Sequence, residues 1–269
     1  MPEITVMMCA YNAEAHLQEA LDSILGQSFQ DFELLVVDDG STDRTPAILA
    51  ACDDARLRVI NREHDYIASL NEGLRLSSGK YIARMDADDR MHPDRLMVQH
   101  AIMEAEPSID LCASHAQAFG DKVDGYARSS GYAGLVDHPR KKFILRNFII
   151  HPTVMIRKAF LTEHSLAYKD YPYAEDYKLW DDMAKCGARF YIEPQVLMYY
   201  RFSDNQVSIQ KKKEQKATAE RIQEEIISDL IAKSEQKILL HDLFQSMLQL
   251  EKTNQTPRSA LVNYICTVI

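Results

Sequence analysis

An α/β fold on a mainly parallel sheet, flanked by helices and followed by a helical C-terminal appendage, is what this sequence predicts. Three observations carry the prediction. Short apolar strands alternate strictly with helical segments through residues 1–100. Polar clusters follow the first, second and fourth of those strands, at the carboxyl edge where ligands collect in such sheets. The chain has 269 residues, 46% of them hydrophobic, enough for one large core and a small addition.

Taken in order, Ile4 to Cys9 reads as a buried strand. Asn12 is placed to cap the next helix, where Leu17, Leu21, Ile24 and Leu25 share one face. Glu33 to Val37 is a second strand that ends in Asp38-Asp39-Gly40-Ser41, a tight turn in which Gly40 permits positive φ and Asp43 can cap a helix. Thr45-Pro46 supplies a cap and a first-turn proline for that helix. Arg56 to Asn61 is a third strand, and Ile67 to Leu76 a helix with Gly79 as its stop. Lys80 to Met85 is a fourth strand, which runs into Asp86-Ala87-Asp88-Asp89. Pro93 opens another helix.

The second half is less regular. Strands are expected at Asp110 to Phe119, Thr153 to Ile156, Arg189 to Ile192 and Val196 to Arg201. Helices are expected at His138 to Arg146 and at Ala174 to Cys186, with Gly187 ending the latter. From about residue 205 the chain turns charged and rich in Gln and Glu, and no Gly follows Gly187, so residues 205–269 read as a helical extension.

The formal net charge is -9, which excludes a general nucleic-acid binder, because phosphate neutralisation needs clustered Lys and Arg. A small phosphorylated ligand remains compatible, since a bound cation can neutralise it locally. Cys9, Cys52, Cys112, Cys186 and Cys266 are scattered, without metal-ligand spacing, and read as reduced thiols of a cytoplasmic protein. No charged segment followed by an apolar stretch opens the sequence, so no signal peptide is expected. No apolar run approaches the roughly 20 residues that span a bilayer. The expectation is a soluble protein, at most peripheral at the inner face of the plasma membrane.

The acidic run Asp86-Ala87-Asp88-Asp89, with Asp94 nearby, concentrates like charges that a divalent cation would relieve. Hard oxygen ligands at a strand end suit Mg²⁺ or Mn²⁺, with diphosphate oxygens completing the shell. A solvated acidic turn before the Pro93 helix is the plain alternative, and the position after a parallel strand favours the metal. Asp39 can accept a hydrogen bond from a base N–H, and Tyr11 can stack on the same base.

These segments together resemble the family 2 glycosyltransferases with the GT-A nucleotide-diphospho-sugar transferase fold. The resemblance is carried by Met8-Cys9-Ala10-Tyr11-Asn12, by Val36-Val37-Asp38-Asp39-Gly40-Ser41-Thr42-Asp43, by Tyr81-Ile82-Ala83-Arg84-Met85-Asp86-Ala87-Asp88-Asp89, and by Ala174-Glu175-Asp176-Tyr177 with Leu179-Trp180. It covers roughly residues 3–208. It implies an inverting transfer of one sugar from a nucleotide-sugar donor, with uracil the usual base, to a glycan or lipid-linked acceptor in capsule, lipopolysaccharide or other surface-glycan assembly. It implies that Asp176 is the catalytic base with Glu175 beside it, and that Asp88 and Asp86 hold Mn²⁺ or Mg²⁺. Ala10, Tyr11, Asn12, Asp39, Arg62, Asn71, Asp86, Ala87, Asp88 and Arg201 would then line the nucleotide-sugar side. Residues 1–100 would form the nucleotide-binding half and 101–204 the acceptor half of one catalytic unit.

The residue chemistry agrees with those roles. An attacking hydroxyl must lose its proton, and Asp176 offers a carboxylate at a helix start, where N-capping is the bland alternative. The departing diphosphate gains charge that a metal stabilises. Some positions depart from the family. Leu70 stands where many relatives carry Arg, leaving Arg62 and Arg84 as replacements. Ser203 stands where a His often follows Tyr200-Arg201, ahead of Gln206-Val207-Ser208, although Arg201 can still serve phosphate. His151-Pro152-Thr153 with Arg157-Lys158 lines the acceptor side or is structural. The Gln-x-x-Arg-Trp motif of processive synthases is absent, which implies single-sugar transfer. The run Lys211 to Lys216, with Ile222, Ile226, Ile227, Leu230 and Ile231 after it, reads as a helix packed on the catalytic unit or on a dimer partner, with an anionic membrane surface as the second reading. Two other classes would require different residues. A nucleotidyltransferase should carry a Gly-rich basic loop where Ala10-Tyr11-Asn12-Ala13 stands. A non-catalytic nucleotide-sugar binding module should lack Asp88 or Asp176.

Overall fold

The computed structural model describes residues 1–120, 127–128, 130–203, 210–233, 241 and 244–245. Gln206-Val207-Ser208, Cys266 and most of the extension beyond residue 233 lie outside the described residues. Four parallel strands build the first half: β1 (Ile4–Ala10), β2 (Phe32–Asp38), β3 (Leu57–Asn61) and β4 (Tyr81–Asp86), in the order β3-β2-β1-β4. All seven residues of β1 are buried, as a strand covered on both faces requires. Alternation divides them. Met7 and Cys9 enter one core, while Val6, Met8 and Ala10 enter the other. Helices α1 (Leu17–Leu25), α2 (Thr45–Ala51) and α4 (Arg95–Ala105) cover the second face, and α3 (Tyr66–Leu76) the first.

Register then sets the site. Cys9 pairs with Val37 on one side and Asp86 on the other, and Ala10 pairs with Asp38. The ends of β1, β2 and β4 are therefore level, and their polar loops open on one edge.

The second half is mixed rather than parallel. Strand β9 (Met155–Arg157) runs antiparallel between β4 and β6 (Leu111–Phe119). Next comes β10 (Phe190–Arg201), parallel to β6. The expected pair of strands over 189–201 is this single strand, with its register shifted between Glu193 and Val196, where Pro194 cannot donate to a ladder. The short strands β5 (Arg90–Met91), β7 (Ala127–Arg128) and β8 (Gly134–Leu135), and helix α6 (Lys158–Glu163), carried no sequence signal. Buried Arg95 and Gln99 of α4 staple this junction. Arg95 donates to the carbonyls of Arg84 and Val154, and Gln99 to those of Cys112 and Thr153.

Helices α5 (Pro139–Leu145) and α7 (Glu175–Lys185) share the first core with α8 (Lys212–Ala232). Ile222, Ile226, Ile227 and Ile231 of α8 are buried there. Polar ties flank them: Arg140 bridges Asp181 and Asp229, and the Tyr171 hydroxyl donates to Glu225. The apolar face of α8 is thus turned inward onto α5 and α7, as the packing reading expected. Among the described residues no helix is long and apolar enough to cross a membrane.

Several local expectations change. Thr45 is the first residue of α2 rather than its cap, and its Oγ1 accepts the Ala13 N–H at 2.7 Å. Asn12 caps no helix, since α1 begins at Leu17. It sits at φ 48°, and its Oδ1 accepts the Thr42 N–H at 2.8 Å, tying the β1 loop to the β2 loop. Gly79 is not the stop of α3, which ends at Leu76. It lets the chain cross β1, because a Cβ there would meet the Thr5 nitrogen at 2.5 Å. Gly187 does follow α7 in the left-handed region, at φ 89°.

Candidate active site

At the level ends of β1 and β2, Tyr11 and Asp39 come together around His64. Asp39 is buried. Its Oδ1 accepts the Asp65 N–H at 2.9 Å and the Ser69 hydroxyl at 2.6 Å, and its Oδ2 lies 2.8 Å from His64 Nδ1. Gly40, at φ 78°, makes the turn the sequence predicted. Tyr11 is 47% exposed and stacks on His64, with ring centroids 4.0 Å apart. Arg62 begins the loop after β3, with Nη1 3.9 Å from Glu72.

The acidic run forms the second part. Ligand atoms of Asp86, Asp88 and Asp89 lie within 4.8 Å of one another. Asp86 ion-pairs with Arg84, which is buried on β4. Burial works against the Arg84 charge, but Asp86 beside it holds the guanidinium above its usual range. Burial, then the Asp86 charge, push Asp88 up to about 6, and burial with both neighbouring charges pushes Asp89 well above the carboxylate range. Asp89 Oδ2 is a buried oxygen without a hydrogen bond, which is what an oxygen-ligated cation would satisfy. The donor set therefore fits Mg²⁺ or Mn²⁺. Arg201 closes the run from β10. Its N–H bonds Asp89 Oδ1 and its Nε bonds the Asp88 carbonyl, both at 2.7 Å, while its Nη2 pairs with Glu19.

The third part is the start of α7. Glu175 is buried and Asp176 part-buried. Burial, then the Asp176 charge, raise Glu175 to about 7. Burial raises Asp176 to about 6, against the Tyr177 N–H and the Asn147 amide, which hold it down. Asn147 Nδ2 donates to Asp176 Oδ2 at 2.9 Å. Both carboxyls are pushed above their usual range, and the Tyr177 N–H and the Asn147 amide favour the ionised form of Asp176, the form a general base needs.

Arg84 joins the parts. Its charge is felt by Asp88 and Asp89 on one side and by Glu175 and Asp176 on the other, and Asp86 raises Glu175 directly. The acidic loop and the α7 carboxylates are therefore near enough to share the influence of one buried guanidinium. Other expected residues make structural contacts. Asn71 clamps the Tyr168 main chain, accepting its N–H at 2.8 Å and donating to its carbonyl at 2.9 Å. The Tyr168 hydroxyl lies 2.8 Å from Nε2 of His151, which burial and Arg84 keep neutral. Ala10 ends β1 and Ala87 separates the two acids. Sequence reasoning missed His64, Tyr66 and Asn147. Tyr66 receives a hydrogen bond from Arg84 at 3.1 Å. None of the three belongs to a recognisable spacing.

Comparison with known proteins gives concordant results. The family described as Glycosyl transferase family 2 matches residues 5–165. An uncharacterized glycosyltransferase of Haemophilus influenzae is 32% identical, over 97% of this chain and 84% of that protein. Succinoglycan biosynthesis protein ExoO of Rhizobium meliloti is 29% identical, over 77% of this chain and 63% of its own length. Among solved structures, S. aureus TarS 1-349 in complex with UDP-GlcNAc superposes with a TM-score of 0.68 at 18% identity, covering 87% of this chain and 68% of that one. The mannosyltransferase PcManGT from Pyrobaculum calidifontis, in complex with GDP-Man and Mn²⁺, gives 0.63 at 19% identity, covering 99% and 75%. At such identities the structures speak for the shared GT-A architecture.

Proposed function

The chain belongs to glycosyl transferase family 2 and is a glycosyltransferase, and from that premise we propose that it transfers a single sugar, with inversion, from a UDP-sugar to an acceptor hydroxyl. The observation that carries this reading is that the charge of buried Arg84 acts on both the acidic loop and the Glu175–Asp176 pair, at the strand ends where Tyr11 and Asp39 also lie.

In this mechanism Tyr11 supplies a stacking face, and Asp39 Oδ2 accepts a ring N–H. A uracil base is supported by the likeness to TarS, solved in complex with UDP-GlcNAc. Asp86, Asp88 and Asp89 would hold Mn²⁺ or Mg²⁺, and the cation, when bound, supplies charge neutralisation for the leaving diphosphate. Asp176, steadied by Asn147, takes the proton of the attacking hydroxyl. Glu175, pushed up by burial and then by the Asp176 charge, lies beside the base and orients the acceptor. Arg84 keeps the two carboxylate groups compatible, and Asn71 fixes the loop that leads into α7. Ala10, Asn12, Arg62, Ala87 and Arg201 complete the donor side as supporting positions.

The acceptor is proposed to be a glycan or lipid-linked glycan of surface-glycan assembly, a reading supported by the similarity to the succinoglycan biosynthesis protein. The division into a catalytic unit over residues 1–204 and an extension over 205–269 belongs to the same proposal. The buried isoleucine face of α8 supports an extension that braces the acceptor half.

A thermal-shift screen of nucleotide sugars with and without Mn²⁺ tests the reading, because a ligand of the native state raises its melting temperature. UDP-sugars are expected to stabilise the protein only with the metal. A screen in which no nucleoside diphosphate shifts the melt overturns it.

A further inference from the structure

His64 lies on the loop between β3 and α3, and its imidazole rests on Tyr11 with planes 22° from parallel. Its Nδ1 is 3.1 Å from the Asp39 carbonyl oxygen and 2.8 Å from Asp39 Oδ2. The close approach depends on Gly40, where a Cβ would come within 2.9 Å of the His64 nitrogen. With Asp39 Oδ1 already bonded to Asp65 and Ser69, Oδ2 is the oxygen left for a ligand. Among the described residues the His64 imidazole is what meets it.

A flat ring on Tyr11 with a ring N–H aimed at Asp39 is what the donor reading asks of the nucleobase. One ring face and one slot cannot hold two flat rings at once. We propose that His64 is a stand-in for the base, filling the nucleobase slot of the ligand-free enzyme and leaving it when the uracil of the donor enters. This inference rests on the assignment of Tyr11 and Asp39 to the base.

The local structure suits an exchange of side chains. The His64 side chain is 56% exposed, so it can turn into solvent without opening the core. The loop backbone is anchored independently, by the Asp65 N–H on Asp39 Oδ1 and the Arg62 N–H on the Asp38 carbonyl. The occupied fraction of the slot weakens the apparent affinity of every base by the same factor. Uridine alone has only its base and ribose with which to displace the imidazole. A nucleoside diphosphate adds the binding of its phosphates, so it still fills the site at concentrations where a free nucleoside, weakened by the same factor, does not.

Calorimetric titration of the full chain with UDP and Mn²⁺, at a pH where imidazole is neutral, tests the proposal. His64→Ala is expected to bind UDP about threefold to tenfold more tightly, the gain equal to the reciprocal of the open fraction. Weaker binding makes the imidazole a stacking partner of the base, unchanged binding removes it from the slot, and either result overturns the proposal. In parallel, the ring protons of His64, assigned by their loss in the variant, are expected to lose the upfield shift imposed by Tyr11 when UDP is added. Persistence of that shift at saturation also overturns it. Tyr11→Ala and Asp39→Asn report on the premise. If both bind UDP like the parent, the base-site assignment fails. If they bind weakly while His64→Ala shows no gain, only the role of His64 fails.

Discussion

Asn147 and Asp176 are joined by a 2.9 Å hydrogen bond between an amide nitrogen and a carboxylate oxygen that stand 29 residues apart in sequence. The bond favours the ionised carboxylate and so lowers the pH at which Asp176 becomes a base. In the parent enzyme kcat/KM should fall as pH drops through about 6. In Asn147→Ala that limb should move to higher pH, and kcat should fall about tenfold. A pH–rate series on both proteins checks this. A limb that stays in place removes Asn147 from the mechanism.

Asp176→Asn should lose about 10²–10⁴-fold in kcat while metal-dependent UDP binding survives. Its stability should change in the opposite sense. Asp176 rises from 3.8 in the unfolded chain to about 6 in the folded one, so the folded state holds the proton more tightly. The stabilisation this gives is complete below about pH 4 and is lost as pH rises through 6. At pH 7.5 the buried charge costs on the order of 1–3 kcal/mol, which the Asn variant avoids. Melting curves at both pH values should show the variant ahead at 7.5 and level at 4.

Chelation by EDTA should abolish transfer, and Mn²⁺ or Mg²⁺ should restore it. Asp88→Asn should bind UDP with about the affinity the parent shows without metal, at least tenfold below its metal-bound affinity. Calorimetry on the two proteins reads this directly. Full metal-dependent affinity in the variant removes Asp88 from the ligand set.

Ile222 and Ile226 of α8 are fully buried against α5 and α7. Truncating either to Ala should cost about 2–4 kcal/mol in urea unfolding through transfer and cavity terms. Ser228, exposed on the same helix, should tolerate Ala within about 0.5 kcal/mol.

The first half of the fold was legible in the sequence because its signals are local. Parallel strands buried on both faces read as apolar runs, and Gly40 and Gly187 announce their turns. The acidic run and the Glu175-Asp176 pair were equally visible. The second half was less so. A three-residue strand such as β9 has no periodicity to detect, and antiparallel insertion is a property of the assembled sheet. Asn12 shows the limit of local reasoning. Its cap-like position is overridden by a bond to Thr42, 30 residues away. His64 and Asn147 acquire meaning only from partners that chain distance conceals.

The brevity of β9 shapes how the molecule can move. Along the sheet, Met155 to Arg157 provide the ladder that joins β4 to β6. A rupture of this short seam would cut the backbone ladder between the two halves of the sheet and leave them joined by the side chains of the two cores that both halves share. Amide hydrogens within the seam should therefore exchange faster than those of β1, and donor binding, by clasping both sides, should slow them.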